Sequence, residues 1–208
     1  MLATLMTAVI NGLRGELVRV EIDVAPGLPV CHIVGLPDAA LSEARERVRG
    51  AIRNSGFEYP MSRITVNLAP ADRRKRGAAY DLAIAIGILV ASGQIRRGGG
   101  AWALLGELSL AGTVEPVAGV LPMVATLARQ GYQRVIVPAA NELEARLVSG
   151  VEVHGVEGLD DAARLVAGPR GRTAAAAVRR TAVELSGPRP ATAPVARGGT
   201  ALTARVTP

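Results

Sequence analysis

The chain contains a single lysine, Lys75, and it stands among arginines: Arg73-Arg74-Lys75-Arg76, then Gly77, then Asp81 four residues on. Four cations beside a glycine suit contacts to phosphate or another anion. Upstream, Arg63-Ile64-Thr65-Val66-Asn67-Leu68 alternates as a strand does, and Ala69-Pro70-Ala71 reads as a turn. Downstream, Ala78 to Ala91 carries Asp81 as its one charge and is apolar on every face, which predicts a helix enclosed by protein. Its length falls short of the roughly 20 residues that span a bilayer. Ala79, Ala83, Gly87 and Ala91 form a stripe of small residues along it, against which another element can pack closely. A strand, a basic loop and a helix start form a geometry in which free N–H groups and the helix dipole attract an anion. Asp81, in the first turn, has two readings. It orients a basic group or binds a partner, or it accepts backbone N–H bonds or pairs with a neighbouring arginine and keeps the helix start in place; the second is the commoner use of such an aspartate.

Other chemistry is sparsely provided. One Cys and two distant His offer no metal-ligand spacing, and Asp160-Asp161 reads more simply as a helix N-terminus. His32 and His154 lie inside apolar strand patterns, so core or edge positions suit them better than a Ser-His-Asp triad. No Gly-x-x-x-x-Gly-Lys-Ser/Thr loop exists, because Arg76-Gly77 follows the only lysine. The chain is therefore expected neither to grip the phosphates of ATP nor to hydrolyse it alone.

The formal charge of +6 is unevenly placed. Residues 1–167 hold 17 basic and 17 acidic side chains, whereas residues 168–208 hold 7 basic and 1 acidic. The body has no overall basic field, and any electrostatic site on it must be local, as at residues 73–76. The segment 168–208, rich in Ala, Pro, Gly and Arg without an apolar period, is expected to be a disordered tail, with a boundary near Ala167. The lone Cys31 excludes an internal disulfide and reads as a small buried hydrophobe. The start of the chain does not resemble a secretory signal, so a cytoplasmic protein with no membrane partner is expected.

Strands are expected at Leu5 to Ile10, at Leu17 to Val24 with Val18, Val20, Ile22 and Val24 inward, and at Val30 to Val34. Asp38 is the candidate N-cap of a helix whose inner face is Leu41, Ala44, Val48, Ala51 and Ile52. After the enclosed helix, Leu104 to Leu110 and Thr113 to Val117 read as a hairpin about Ala111-Gly112. Then follow a helix near Leu121 to Gln130, a strand Arg134 to Pro138, a short helix capped by Asn141, a strand Val151 to Val156 and a helix Leu159 to Ala167. Mostly antiparallel strands first and βαβα afterwards predict an α/β sandwich with a mixed sheet.

Seven ordered motifs resemble one family. They are Val34-Gly35-Leu36-Pro37-Asp38, Glu43 to Arg49, Ile64 to Ala71, Lys75-Arg76-Gly77, Tyr80 to Ala85, Leu105 to Leu108 and Val137 to Asn141. Together, across residues 1–167, they are similar to the N-terminal domain of the YifB/ComM family of magnesium chelatase-like AAA+ proteins. The resemblance implies a Lon-protease-like α/β fold and a following ATPase module that would bring ATP and Mg. It also implies homo-oligomeric relatives that act on DNA, in branch migration during natural transformation. The chain reads as truncated before that module, with no cofactor of its own. Lon enzymes use a serine and a lysine; the serine position falls here on Ala79 and the lysine position near Met123, and these lack the oxygen and the titratable nitrogen that acyl transfer needs. The expected role is a non-catalytic accessory or assembly domain touching DNA through Arg73, Arg74, Lys75 and Arg76. Gly77, Asp81 and Asp38 are its structural or partner-orienting residues. The alternatives are a freestanding nucleic-acid binder and, less favoured, a Lon-like serine hydrolase.

Overall fold

The structure is a computed structural model and describes residues 1–35, 39–70 and 77–169. A sheet of seven strands runs through it in the order β3-β4-β2-β1-β5-β8-β9. The first five elements are β1 (Leu2–Asn11), β2 (Arg14–Ala25), β3 (Val30–Val34), α1 (Ala39–Asn54) and β4 (Arg63–Ala69). Strands β1 and β2 form a long antiparallel hairpin, β4 lies antiparallel to β2, and β3 pairs parallel at the edge. Strand β1 exceeds the expected Leu5 to Ile10 because β2 pairs along its whole length, from Leu2 opposite Asp23 to Asn11 opposite Arg14.

Helix α2 (Asp81–Ala91) follows, then β5 (Trp102–Leu104), a small hairpin of β6 (Glu107–Leu108) and β7 (Val114–Glu115), and α3 (Val120–Arg129). The chain continues through β8 (Arg134–Pro138), a 3-10 turn Ala139–Asn141, α4 (Glu142–Ala145), β9 (Glu152–Val156) and α5 (Leu159–Ala167). Strands β5, β8 and β9 extend the sheet in parallel from β1. The expected hairpin forms only in part. Leu104 belongs to the main sheet, and the small hairpin begins after Gly106.

Helices α1, α2 and α5 share one core with the sheet, and α3 and α4 pack on its other face. Ten of the eleven residues of α2 are buried, as its even apolarity predicts. Its small-residue stripe meets the hairpin: a Cβ on Gly87 would stand 2.2 Å from Ile22 Cδ1. Ala79 of that stripe lies in the turn before the helix. On α1, Ala44, Val48, Ala51 and Ile52 are all buried, as their spacing predicts. Cys31 is half-buried rather than enclosed, because β3 is an edge strand. Burial still pushes its thiol up from the ordinary value. No helix among the described residues is long and apolar enough to cross a membrane.

Candidate functional site

The junction between β4 and α2 is where sequence places an anion site, and Arg73, Arg74, Lys75, Arg76 and the cap Asp38 lie outside the described residues. Gly77 is described: it takes φ +82°, a left-handed conformation natural to glycine, on the exposed side of the turn that leads into α2.

The helix start is filled by the protein itself. Asp81 is wholly buried, and the guanidinium of Arg47 on α1 grips it with two donors, Nε to Oδ2 at 2.7 Å and Nη2 to Oδ1 at 3.2 Å. The Leu108 N–H of β6 adds a third bond to Oδ2 at 3.3 Å. The next N–H, of Leu82, donates to the Gly106 carbonyl, and Gly106 N–H returns a bond to the Ala79 carbonyl. Asp81 N–H donates to the Ala78 carbonyl and Leu82 N–H to that of Gly106, so these two N–H groups of the first turn are paired within the chain. Asp81 takes the second of its two readings, with an arginine 34 residues away rather than one from the basic run. Burial pushes its carboxyl up to about 6, against the lowering pull of Arg47 and Leu108, and Glu107 adds to the rise. Arg47, bonded to Asp81, has its own pKa raised.

The Lon-like positions are apart in kind as well as chemistry. Ala79 is half-buried in the turn before α2, while Met123 is buried in α3 among the aliphatic side chains of the other sheet face. His32 is exposed on edge strand β3. His154, on the opposite edge strand β9, donates through Nε2 to Glu152 at 2.8 Å and meets Trp102 edge-on at 5.2 Å between centroids. Its hydrogen-bond partner is thus a carboxylate and not a serine. Asp160 and Asp161 stand in the first turn of α5, both paired with Arg164. No group of three His, Cys, Asp or Glu that could hold a metal occurs among the described residues. Asn141 makes no side-chain cap; it accepts from Val117 N–H at 2.9 Å and donates to the Val117 carbonyl at 3.1 Å.

Sequence reasoning missed Arg47 and Asn141 as tethers. Both lie in quoted motifs, but their partners are distant in the chain, and spacing carries no sign of that.

A family model described as subunit ChlI of Mg-chelatase matches residues 20–141. Rv2897c of Mycobacterium tuberculosis is 49% identical over 156 residues, covering 72% of this chain and 30% of that protein. YifB of Escherichia coli is 44% identical, covering 67% of this chain and 28% of YifB. The competence protein ComM of Haemophilus influenzae is 38% identical over 178 residues, covering 85% and 35%. The chain thus spans about a third of the length of these relatives. A more distant likeness, 24% identity over 159 residues, joins it to Lon protease 1 of Hydrogenovibrio crunogenus, in keeping with the Lon-like α/β fold.

Proposed function

This chain belongs to the family of ChlI, the Mg-chelatase subunit, and we propose that it serves as an accessory or assembly domain of a ComM-type, DNA-processing AAA+ protein, with no catalysis of its own. The observation that carries this reading is the saturation of Asp81. The one buried carboxylate at the helix start is held by Arg47 and Leu108, and the neighbouring N–H by Gly106, so the junction is built to hold α1, α2 and β6 together. The sequence holds no Gly-x-x-x-x-Gly-Lys-Ser/Thr loop, since Arg76-Gly77 follows its only lysine, and this supports a domain without nucleotide or Mg of its own. ATP and Mg therefore belong to a separate ATPase module, which a phosphate-loop motif in the DNA beyond this coding region would reveal.

The likeness to a Lon protease favours the hydrolase alternative, but Ala79 and Met123 oppose it. Purified chain is expected to show neither ATPase nor peptidase turnover. Activity that survives further purification and responds to a substitution in this chain would overturn the reading.

In this proposal DNA contact runs through Arg73, Arg74, Lys75 and Arg76. Changing the four to Ala should weaken sequence-independent binding and flatten its salt slope by up to about 3 to 4 relative to the unaltered chain. An equal slope in both would assign any DNA contact to the basic residues after Gly168.

A further inference from the structure

Leu13, in the β1–β2 turn, is 93% exposed, more than any other large hydrophobic side chain among the described residues. It forms one wall of a groove of about 680 Å³ whose other side is α3, where Leu121, Pro122 and Ala125 line it, and Arg14 and Arg129 line it as well. The groove is held in shape. Thr126 Oγ1 donates to the Gly15 carbonyl at 3.1 Å, and Arg129 donates to the same Oγ1 at 2.9 Å. Gly15 brings the backbones so close that a Cβ there would stand 2.4 Å from the Pro122 carbonyl oxygen. Among the described residues no carboxylate lines the groove, and neither Arg14 nor Arg129 makes an ion pair.

An apolar slot with two guanidinium groups that lack a carboxylate suits a ligand with an apolar middle and anionic flanks. We propose that the groove takes a short acidic peptide segment of a partner protein, in which Leu or Phe side chains stand between Asp or Glu residues. The apolar side chains cover Leu13, Leu121 and Ala125, and the carboxylates meet Arg14 and Arg129, whose planar forks match them. Two segments of this chain are poorly suited to the place. On α4, Glu142 is paired with Arg146, and Glu144 accepts from Leu121 N–H and from Asn141. Residues 168–208, with 7 basic and 1 acidic side chains, have the wrong sign. A nucleic-acid backbone would neutralise the arginines but leave Leu13 and Leu121 in water. A flat bilayer would take up Leu13 without entering the groove as far as Ala125. A peptide serves both kinds of side chain. The site does not use the basic run at residues 73–76, and it stands or falls independently of the role proposed above.

Fluorescence anisotropy of a labelled Asp-Asp-Leu-Phe-Asp-Asp peptide, titrated with the full chain, tests it. Binding should saturate, and should weaken as salt rises, because charge pairs at the rim are screened. A peptide with Ser in place of Leu and Phe should bind about tenfold or more weakly. That peptide keeps its full charge, so it also measures any attraction to the basic residues after Gly168, which needs no apolar side chain. In the chain, Leu13→Ser and, separately, Arg14→Glu should each weaken binding of the first peptide by about tenfold or more. Both side chains are exposed, so the melting midpoint should hold in both variants. No saturation below about 1 mM, equal binding of the Ser peptide, or variants that bind as the wild type does would each overturn the proposal. So would variants that lose binding to a DNA duplex or to phosphatidylglycerol vesicles while peptide binding is unchanged, which would assign the groove to nucleic acid or to a membrane.

Discussion

The two faces of the sheet are finished differently. On one, α1, α2 and α5 cover inward side chains from β3 through β9, and Asp81, the one charge buried there among the described residues, is paired. On the other, α3 and α4 cover only the part made by β5, β8, β9 and the turn end of the β1–β2 hairpin. The remaining strands carry Arg19, Glu21 and Asp23 on β2, Thr65 and Asn67 on β4, and His32 on β3. Asn67 Nδ2 on β4 donates across to Glu21 on β2 at 2.7 Å, and Arg19 pairs with the same Glu21 along β2 at 2.9 Å. The finished face holds stability, and the unfinished one holds surface available for contact.

The comparison would break first at Arg47. Arg47→Met leaves the fully buried Asp81 carboxylate without its partner, and should cost about 3–5 kcal/mol in urea unfolding at neutral pH. Arg47 is what draws that carboxyl down, so in the variant it takes up its proton already above 6, and the loss should shrink as pH falls toward that value. A loss under about 1 kcal/mol would mean that the finished face does not depend on the Arg47–Asp81 pair.

Asp81 supplies the next test. Its carboxyl lies at about 6 in the folded chain against an ordinary 3.8, so between those values the folded state binds more protons than the unfolded state. Stability from this group therefore rises as pH falls through 6 toward 3.8, and is lowest above 6. Asp81→Asn should abolish that contribution. The pH profiles of the two proteins should diverge with a slope approaching about 1.4 kcal/mol per pH unit in that window. Parallel profiles would place the Asp81 carboxyl near its ordinary value.

On the partly covered face, Gly15→Ala drives a Cβ into the backbone of α3 at Pro122 and Met123. Neither atom is a flexible side-chain end, so the helix must shift, at about 1–3 kcal/mol. Thermal melting would measure this, and an unchanged midpoint would show that α3 is loosely seated.

How much of this could be read from the sequence followed the same division. Strand β2 reads cleanly because it has one dry face: Val18, Val20 and Ile22 are buried, and Arg19 and Asp23 are exposed. Strand β8 reads as an unbroken run, Val135-Ile136-Val137, because helices cover it on both sides, as is usual for parallel strands. Its bounds and those of α5 match the sequence reading. Strand β5 did not separate from the hairpin after it, since Leu104-Leu105 continues without punctuation into Gly106-Glu107-Leu108, and only the pairing with β8 parts them. At the site, Asp81 was legible as a helix-start carboxylate. Its partner was not, because Arg47 looks like any other arginine on the charged face of α1 until tertiary packing turns it toward α2.

The smallest expected effect lies on the uncovered strands, at His32. It is exposed on the edge strand, opposite Thr65 in the parallel register with β4. His32→Thr keeps a residue suited to a strand and removes no described side-chain hydrogen bond, so it should change stability by no more than about 0.5 kcal/mol. The measurement is a urea midpoint at neutral pH, in dilute and in concentrated protein. A concentration-independent loss above about 1 kcal/mol would mean that His32 packs within its own chain and that this face is more finished than its exposure indicates. A loss confined to concentrated protein would place His32 in a contact between copies.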